Sequence, residues 1–496
     1  MTIISLNLYI ALVAIVLTWV ASKKAEIFRS WFDSFLQNFC GSLFIFSGFV
    51  KAVDPMGTAY KMEEYFKEFE QMARGSFLSF MADLFPFMLR YAVGFSVFMI
   101  VLEIVIGIAL LIGTRKKLTA WLFFLVMVFF TILTGYTYMT GYVPQGANFF
   151  EFSKWGDWDK TLMRVQNCGC FGDFLKLDPR TSFMKDLFLM IPALIFLFRW
   201  NKWHEFFSMS IRNVIMALST AGLLLFCLTN FIWREPMIDF RPFAIGTDVR
   251  TAKENELDAM AKVNIIGWKL RNKTSGEIKD LSDADYMGNL ASYPKTEWEV
   301  LEQLKSEPSI PITKISDFVI YDLEGSDVSY KILDEERSQL MINCPKMYFK
   351  SQSQMQTRSD SIFNTDTIWN QVQKDSFQLV KTFAEVKQVE EKKNVYIWDE
   401  AYIKLLKNKI LPLVDSLKND GVGASLVVGG TGEEALQDLI KYLNLQIPVY
   451  SADDILLKTI MRSNPGLILW RNGKILHKWH HADLPEPELL RRDFLR

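Results

Sequence analysis

The sequence has no excess of charge: 55 basic residues stand against 56 acidic ones, a formal balance of −1. Without a net basic field there is no electrostatic case for a nucleic-acid partner. Histidine is scarce, with four residues in 496. Three of them, His477, His480 and His481, fall in "HKWHH". Strand alternation puts His477 and His481 on one side, but no carboxylate in that stretch completes a ligand set. Cysteine is scarce too, at five. Cys168 and Cys170 stand one residue apart around Gly169, and the stretch 142–182 holds no histidine and no third cysteine. A structural zinc site takes four ligands, so no metal is expected.

What the chain does have is a division. Residues 1–232 are mostly apolar, and residues 233–496 have the charge density of a soluble protein. Six runs in the first part approach the roughly 20 apolar residues that cross a bilayer: about 3–21, 35–53, 84–112, 118–141, 183–200 and 211–232. The first lacks a positive leading segment, and its charges, Lys23 and Lys24, follow it. That pattern favours a retained helix over a signal peptide. Lys23, Lys24 and Arg29, then Arg115, Lys116 and Lys117, then Arg199, Lys202 and Arg212 fall in alternate loops. The excess of positive charge assigns those loops to the cytoplasm. Loops 54–83 and 142–182, and everything after residue 232, then face outward.

Cys168 and Cys170 therefore face a compartment where disulfides persist. Three readings stay open: a pair cycling between dithiol and disulfide, a permanent bond pinning the loop, or two thiols that merely fit. A ring closed between residues two apart needs an unusual backbone, which Gly169 permits, and strained disulfides exchange readily. Arg164 and Lys176 are candidates to favour the thiolate. Glu103 is the one carboxylate deep in a run, and an intramembrane carboxylate marks function or a packing hydrogen bond helped by Gly107 and Gly113. Cys40 reads as packing. Cys227, near the outer end of the last run, meets the pair only if the helices are adjacent. Thr134, Tyr136 and Tyr138 read as an interfacial belt.

Ser47-Gly48, Lys51, the turn Asp54-Pro55 with Gly57, Glu103 and "CGCFGD" at 168–173 together resemble the DoxX and MauE group of membrane proteins, over about residues 31–200. Asp54 is placed to cap a helix with Pro55 at its first position. The added first and last runs, the outer domain and "PMIDFRPFAIG" resemble the long form found in Bacteroidetes. This resemblance implies a small helical bundle tied to redox chemistry or disulfide formation in the envelope. By analogy it implies a quinone, with Glu103 as a proton group.

Beyond a linker or adaptor at 233–307, residues 308–496 alternate strand and helix, which means a layered α/β domain. A hairpin turns at Ser275-Gly276, and a helix is expected at about 296–305. Strand, Gly turn, strand, helix and strand follow over 314–343, then a polar interruption near 350–365. A helix spans 400–418, and "GASLVVGG" is a strand. Thr431 with Glu434 reads as a capping box for 432–443. Three late strands and a helix from Leu484 end the chain. The order resembles a thioredoxin-like fold, in which Pro465 is a cis-proline. "CPKM" departs from it: Cys344 is present, and Met347 stands where the second cysteine would be. Cys344 is then a single attacking thiol, or the domain is degenerate and binds a partner. The overall expectation is a multi-pass protein of the bacterial inner membrane, touching lipid and a periplasmic or membrane protein partner. It acts as a thiol–disulfide exchanger through Cys168 and Cys170, with Glu103 and Cys344 as further candidates. The alternative is a non-enzymatic scaffold or subunit of an envelope complex. A transporter has little support, because the runs lack a second buried charge and broken repeats.

Overall fold

The computed structural model describes residues 2–495 apart from 166–168, 170–171, 173, 176, 237 and 370–376. Among the described residues, six helices are long and apolar enough to cross a membrane. They are α1 (Ile3–Lys24), α2 (Trp31–Val53), α5 (Ala92–Ile112), α6 (Lys116–Met139), α7 (Pro179–Arg199) and α8 (Met209–Thr229). Between α2 and α5 lie α3 (Pro55–Arg74) and α4 (Leu84–Arg90). The run expected at 84–112 is thus broken: Tyr91 leaves helical geometry at φ −109°, ψ 21°. Hydropathy alone does not register such a break, because residues on both sides of it are apolar.

Small residues set the closest helix contact. A Cβ on Gly107 would lie 2.8 Å from the Gly41 carbonyl oxygen, and one on Gly48 would lie 2.4 Å from Ile104 Cγ1. Only glycine lets α2 and α5 approach so far. α1 buries Leu6, Ile10, Ala14, Thr18 and Ala21 along one face. Thr18 also accepts a hydrogen bond from Asn38 Nδ2 at 3.0 Å, so α1 is part of the bundle. Cys40 is buried in the same core as Leu43, Phe44 and Phe123.

The three basic loops meet at one end of the bundle. Glu205 pairs with Lys116 at 2.6 Å and with Arg212 at 2.7 Å, and Arg29 donates to the Asn201 carbonyl at 2.8 Å. Arg199 pairs with buried Asp33 at 2.6 Å. Gly113 ends α5 in the left-handed region at φ 68°, where a Cβ would lie 2.0 Å from the His204 carbonyl oxygen. It therefore serves as a cap at this end and not, with Gly107, as part of the α2–α5 contact. The opposite end carries α3, residues 142–165 and the start of the segment after α8. There Asn148 Nδ2 donates to the Met72 carbonyl at 2.9 Å, and Asn230 donates to that of Val53.

After α9 (Val249–Ala261), strands β1 (Ile265–Asn272), β2 (Ile278–Ser282) and β3 (Trp298–Lys305) form an antiparallel sheet in the order β2-β1-β3. The hairpin turns at Gly276, φ 72°. The helix expected at 296–305 is instead β3: its pairing with β1, including Arg271 against Glu299, outweighs local helix propensity. A short helix, α10 (Asp283–Gly288), follows β2.

A mixed sheet follows, built from β4 (Ile320–Tyr321), β5 (Gln339–Cys344), β8 (Gly423–Gly429), β9 (Val449–Ala452), β10 (Gly466–Arg471) and β11 (Lys474–His480). Its order is β11-β10-β5-β8-β9-β4, with β5, β8 and β9 parallel. With α11 (Ser329–Leu333), α12 (Glu400–Leu405), α13 (Leu411–Leu417), α14 (Glu433–Leu443), α15 (Asp454–Ile460) and α16 (Pro487–Phe494), this is the expected α/β domain. The Asn464–Pro465 bond is cis.

Three local expectations fail. The strand after Gly325 shrinks to an isolated bridge, Tyr321 with Asp327. The polar interruption is a two-stranded ribbon, β6 (Phe349–Trp369) against β7 (Phe377–Trp398), where mutual backbone pairing takes the place of an apolar face. Gly432, not Thr431, is the N-cap of α14, because Thr431 turns its hydroxyl back to donate to the Gly429 carbonyl at 3.1 Å.

The chain divides into two compact units. The first is Met1–Asp317 with Lys458–Ile468 and Gly473–Pro485; the second is Phe318–Leu457 with Leu469–Asn472 and Glu486–Arg496. The stretch around Pro465 therefore belongs with the membrane helices.

Candidate functional site

Cys168 and Cys170 lie outside the described residues, but Gly169 between them and Gly172 beyond them do not. Gly169 sits at φ 61° and Gly172 at φ 52°, and Gly172 N–H donates to the Gly169 carbonyl at 3.1 Å. Left-handed backbone at both positions is what glycine supplies without penalty. A Cβ on Gly169 would lie 3.2 Å from Lys61 Cγ, and one on Gly172 would lie 3.6 Å from Val50 Cγ1. The turn thus rests on α3 and on the outer end of α2. Its flanks are tied down. Met163 and Val165 are buried, while Phe174 meets Phe46 edge-on at 5.6 Å.

The stem of Lys61 packs against Gly169. It also pairs with Glu64 at 2.5 Å. Arg164, expected to favour a thiolate, is engaged elsewhere: it donates to the Ala147 carbonyl at 2.6 Å and lies 3.7 Å from Glu68. Burial raises the Glu68 carboxyl, and the Arg164 charge opposes this only in part. Lys176 lies outside the described residues.

One turn inward, Glu103 has a partner. Lys51 Nζ lies 2.6 Å from Glu103 Oε2, both side chains are buried, and the ammonium sits 4.8 Å from the centre of the Phe130 ring. The expectation that the spans lack a second buried charge is therefore corrected. Lys51 stands in the last turn of α2, and its long stem reaches Glu103. Asp186 is likewise buried in α7, held by Lys185 at 2.5 Å and Thr134 at 2.9 Å. Thr134 thus serves the bundle interior and not an interfacial belt. Cys227 is buried among Ala52, Val97, Ile100 and Ile104.

Asp54 caps α3 as expected, accepting from Gly57 N–H at 2.9 Å. It also does something the sequence did not reveal: it binds Arg462, with Nη2 to Oδ2 at 2.6 Å and Nε to Oδ2 at 3.1 Å. Burial alone would raise the Asp54 carboxyl, but the Arg462 charge and hydrogen bonds outweigh it and hold it below the ordinary value. No local pattern links residues 408 positions apart.

Cys344, at the end of β5, is fully buried. Burial pushes its thiol up to about 12, against a lowering hydrogen bond from Tyr402. Met347 is buried nearby in sequence. As folded, Cys344 carries almost no thiolate at neutral pH, and thiolate is the nucleophile. It is expected to resist alkylation at pH 8 in the native protein and to react fully in denaturant. Mass spectrometry of labelled peptides reads this. The histidines are engaged with neighbours: His477 stacks on Trp479 at 4.4 Å, and His481 Nδ1 lies 2.9 Å from Ser463 Oγ. Among the described residues, no group of three histidine, cysteine or acidic side chains is placed to hold a metal.

Six membrane-length helices and a C-terminal region rich in strands define a multi-pass membrane protein. Residues 29–145 match the family described as methylamine utilisation protein MauE. The match runs from the start of α2 to just past α6, takes in Lys51, Asp54 and Glu103, and stops before the cysteine pair. The chain is thus MauE-like in its membrane part. No curated protein and no solved structure matches it.

Proposed function

We propose that this protein is a thiol–disulfide exchanger of the bacterial cell envelope, held in the inner membrane, with Cys168 and Cys170 as the working pair. The observation that carries this reading is the loop backbone. A left-handed glycine stands between the two cysteines in a turn anchored on both flanks at the end of the bundle away from the basic loops. Positive charge favours the cytoplasm for those loops, which puts the turn on the periplasmic side. In the exchange, one cysteine thiolate attacks a partner disulfide, forms a mixed disulfide and releases a partner thiolate. The second cysteine then displaces the remaining partner sulfur, leaving the ring oxidised and the partner reduced; the reverse sequence oxidises the partner. Lys51 holds Glu103 at 2.6 Å, and the exchange is derived without a quinone.

The C-terminal region is, on this proposal, a degenerate thioredoxin-like domain. The sealed thiol of Cys344 favours binding over chemistry there. That same observation supports the second reading, a scaffold whose cysteine bond is only structural. Acid quenching of cells followed by alkylation of free thiols separates the two. Exchange predicts a mixture of reduced, oxidised and mixed-disulfide forms at Cys168 and Cys170. A pair found wholly oxidised under every growth condition would leave the scaffold.

A further inference from the structure

The second compact unit contains a cavity of about 340 Å³ at the start of its parallel strands, the end of β5 away from Cys344. Strand alternation builds its floor. Gln339 and Met341 stand two apart on β5, so they share a face, and the register sets them beside Gly423 and Ser425 of β8. Gly423 makes room for the Gln339 amide: a Cβ there would lie 2.3 Å from Gln339 Nε2. Ile332 of α11 and Val414 of α13 add apolar wall. Trp470 of β10 also lines the cavity, with its ring fixed 5.8 Å from that of Phe318. Trp470 is 1% exposed, and its indole N–H has no hydrogen-bond partner among the described residues. A buried donor left unbonded is costly. The space beside it far exceeds the roughly 30 Å³ share of one water. It falls within the span of about 300–1,000 Å³ typical of small-molecule sites, which pair apolar walls with a few polar groups. The rim leans positive. Lys331 and Lys418 are exposed and make no ion pair among the described residues. Of the rim carboxylates, Glu335 is held by Arg337 at 3.0 Å, which leaves Asp415 against two lysines.

We propose that this cavity is a binding site for a small organic carboxylate with an apolar, ring-sized body. The body fills the space between the sheet face and the two helices. An acceptor oxygen takes the Trp470 N–H, and the lysine rim favours an anion over its neutral analogue. The site is independent of the cysteine pair, so the exchange reading and this one stand or fall separately.

The test uses the full chain in nanodiscs, because detergent is itself an amphiphile, with empty nanodiscs as the blank. The probe is 2-naphthoate, followed by calorimetric titration and by hydrogen exchange. One site per chain is expected, with a Kd of roughly 1 mM or tighter for a ligand of this size. Protection is expected at residues 423–425 and 446–450. Uncharged 2-naphthamide is expected to bind about fivefold more weakly, the scale of an exposed ion pair, and Lys418→Gln to narrow that preference. Trp470→Phe keeps an apolar ring without the donor and is expected to weaken naphthoate about tenfold, as loss of a hydrogen bond to a charged group does. Ser425→Leu fills the floor and is expected to abolish binding. Lys418→Gln alters only an exposed side chain, so it keeps the test decisive if a floor variant fails to fold. The site is overturned by any of three results: no saturable binding up to about 5 mM, well above the expected constant; protection that falls elsewhere; or a folded Ser425→Leu that binds like the wild type.

Discussion

Replacing one member of the outer pair is expected to trap the protein on its partner. With the resolving cysteine changed to serine, the attacking cysteine forms a mixed disulfide that nothing in the loop displaces. The result is a covalent adduct, seen as a reducible band on a non-reducing gel. With the attacking cysteine changed, no adduct forms and exchange is lost altogether. The two single variants, Cys168→Ser and Cys170→Ser, are therefore expected to differ in kind, and the difference assigns the roles. Thiolate character decides which cysteine attacks. Two variants with identical wild-type behaviour and no adduct would argue for an ornamental or static bond.

The second large effect is expected at the buried ion pair. Lys51 and Glu103 are both buried in the bundle, with side-chain exposures of 8% and 3%. Removing one partner leaves the other charge buried and unpaired, which costs about 3–5 kcal/mol. Lys51→Met or Glu103→Gln is accordingly expected to lower the thermal midpoint in detergent by roughly 6–12 °C, taking about 3 kcal/mol and about 2–4 °C per kcal/mol. The double variant Lys51→Met with Glu103→Leu is expected to recover most of that loss, because well-packed apolar groups replace a buried pair with little penalty. The recovered double variant also separates roles. Normal exchange in it makes the pair a structural clasp between α2 and α5; exchange that stays slow despite recovered stability gives the carboxylate a part in proton movement.

The membrane half of this protein was legible because its signals are local and periodic. Six apolar runs, three basic loops and the Asp54-Pro55 helix start each lie within a few residues of sequence. Gly276 announced its hairpin in the same way. What stayed hidden was long-range or polar. The pairing of Asp54 with Arg462 joins residues 408 positions apart. Nothing local to Lys51 announces its pairing with Glu103, 52 positions away. β3 carries residues at ease in a helix and is a strand only because β1 offers it partners. The β6–β7 ribbon has no run of apolar alternation to betray it. Of the candidate residues, Glu103 was visible as an anomaly within hydrocarbon, but its partner and hence its chemistry were not. Cys344 was visible as half of a missing pair, and its burial was not.

The most direct measurement is a redox titration of the purified full-length protein in glutathione buffers, reading the state of the peptide that carries Cys168 and Cys170. A working exchange pair is predicted to reach equilibrium with glutathione at potentials of roughly −120 to −270 mV, the span of known exchange catalysts. A bond that stays closed at potentials below about −300 mV, as structural disulfides do, would contradict the account.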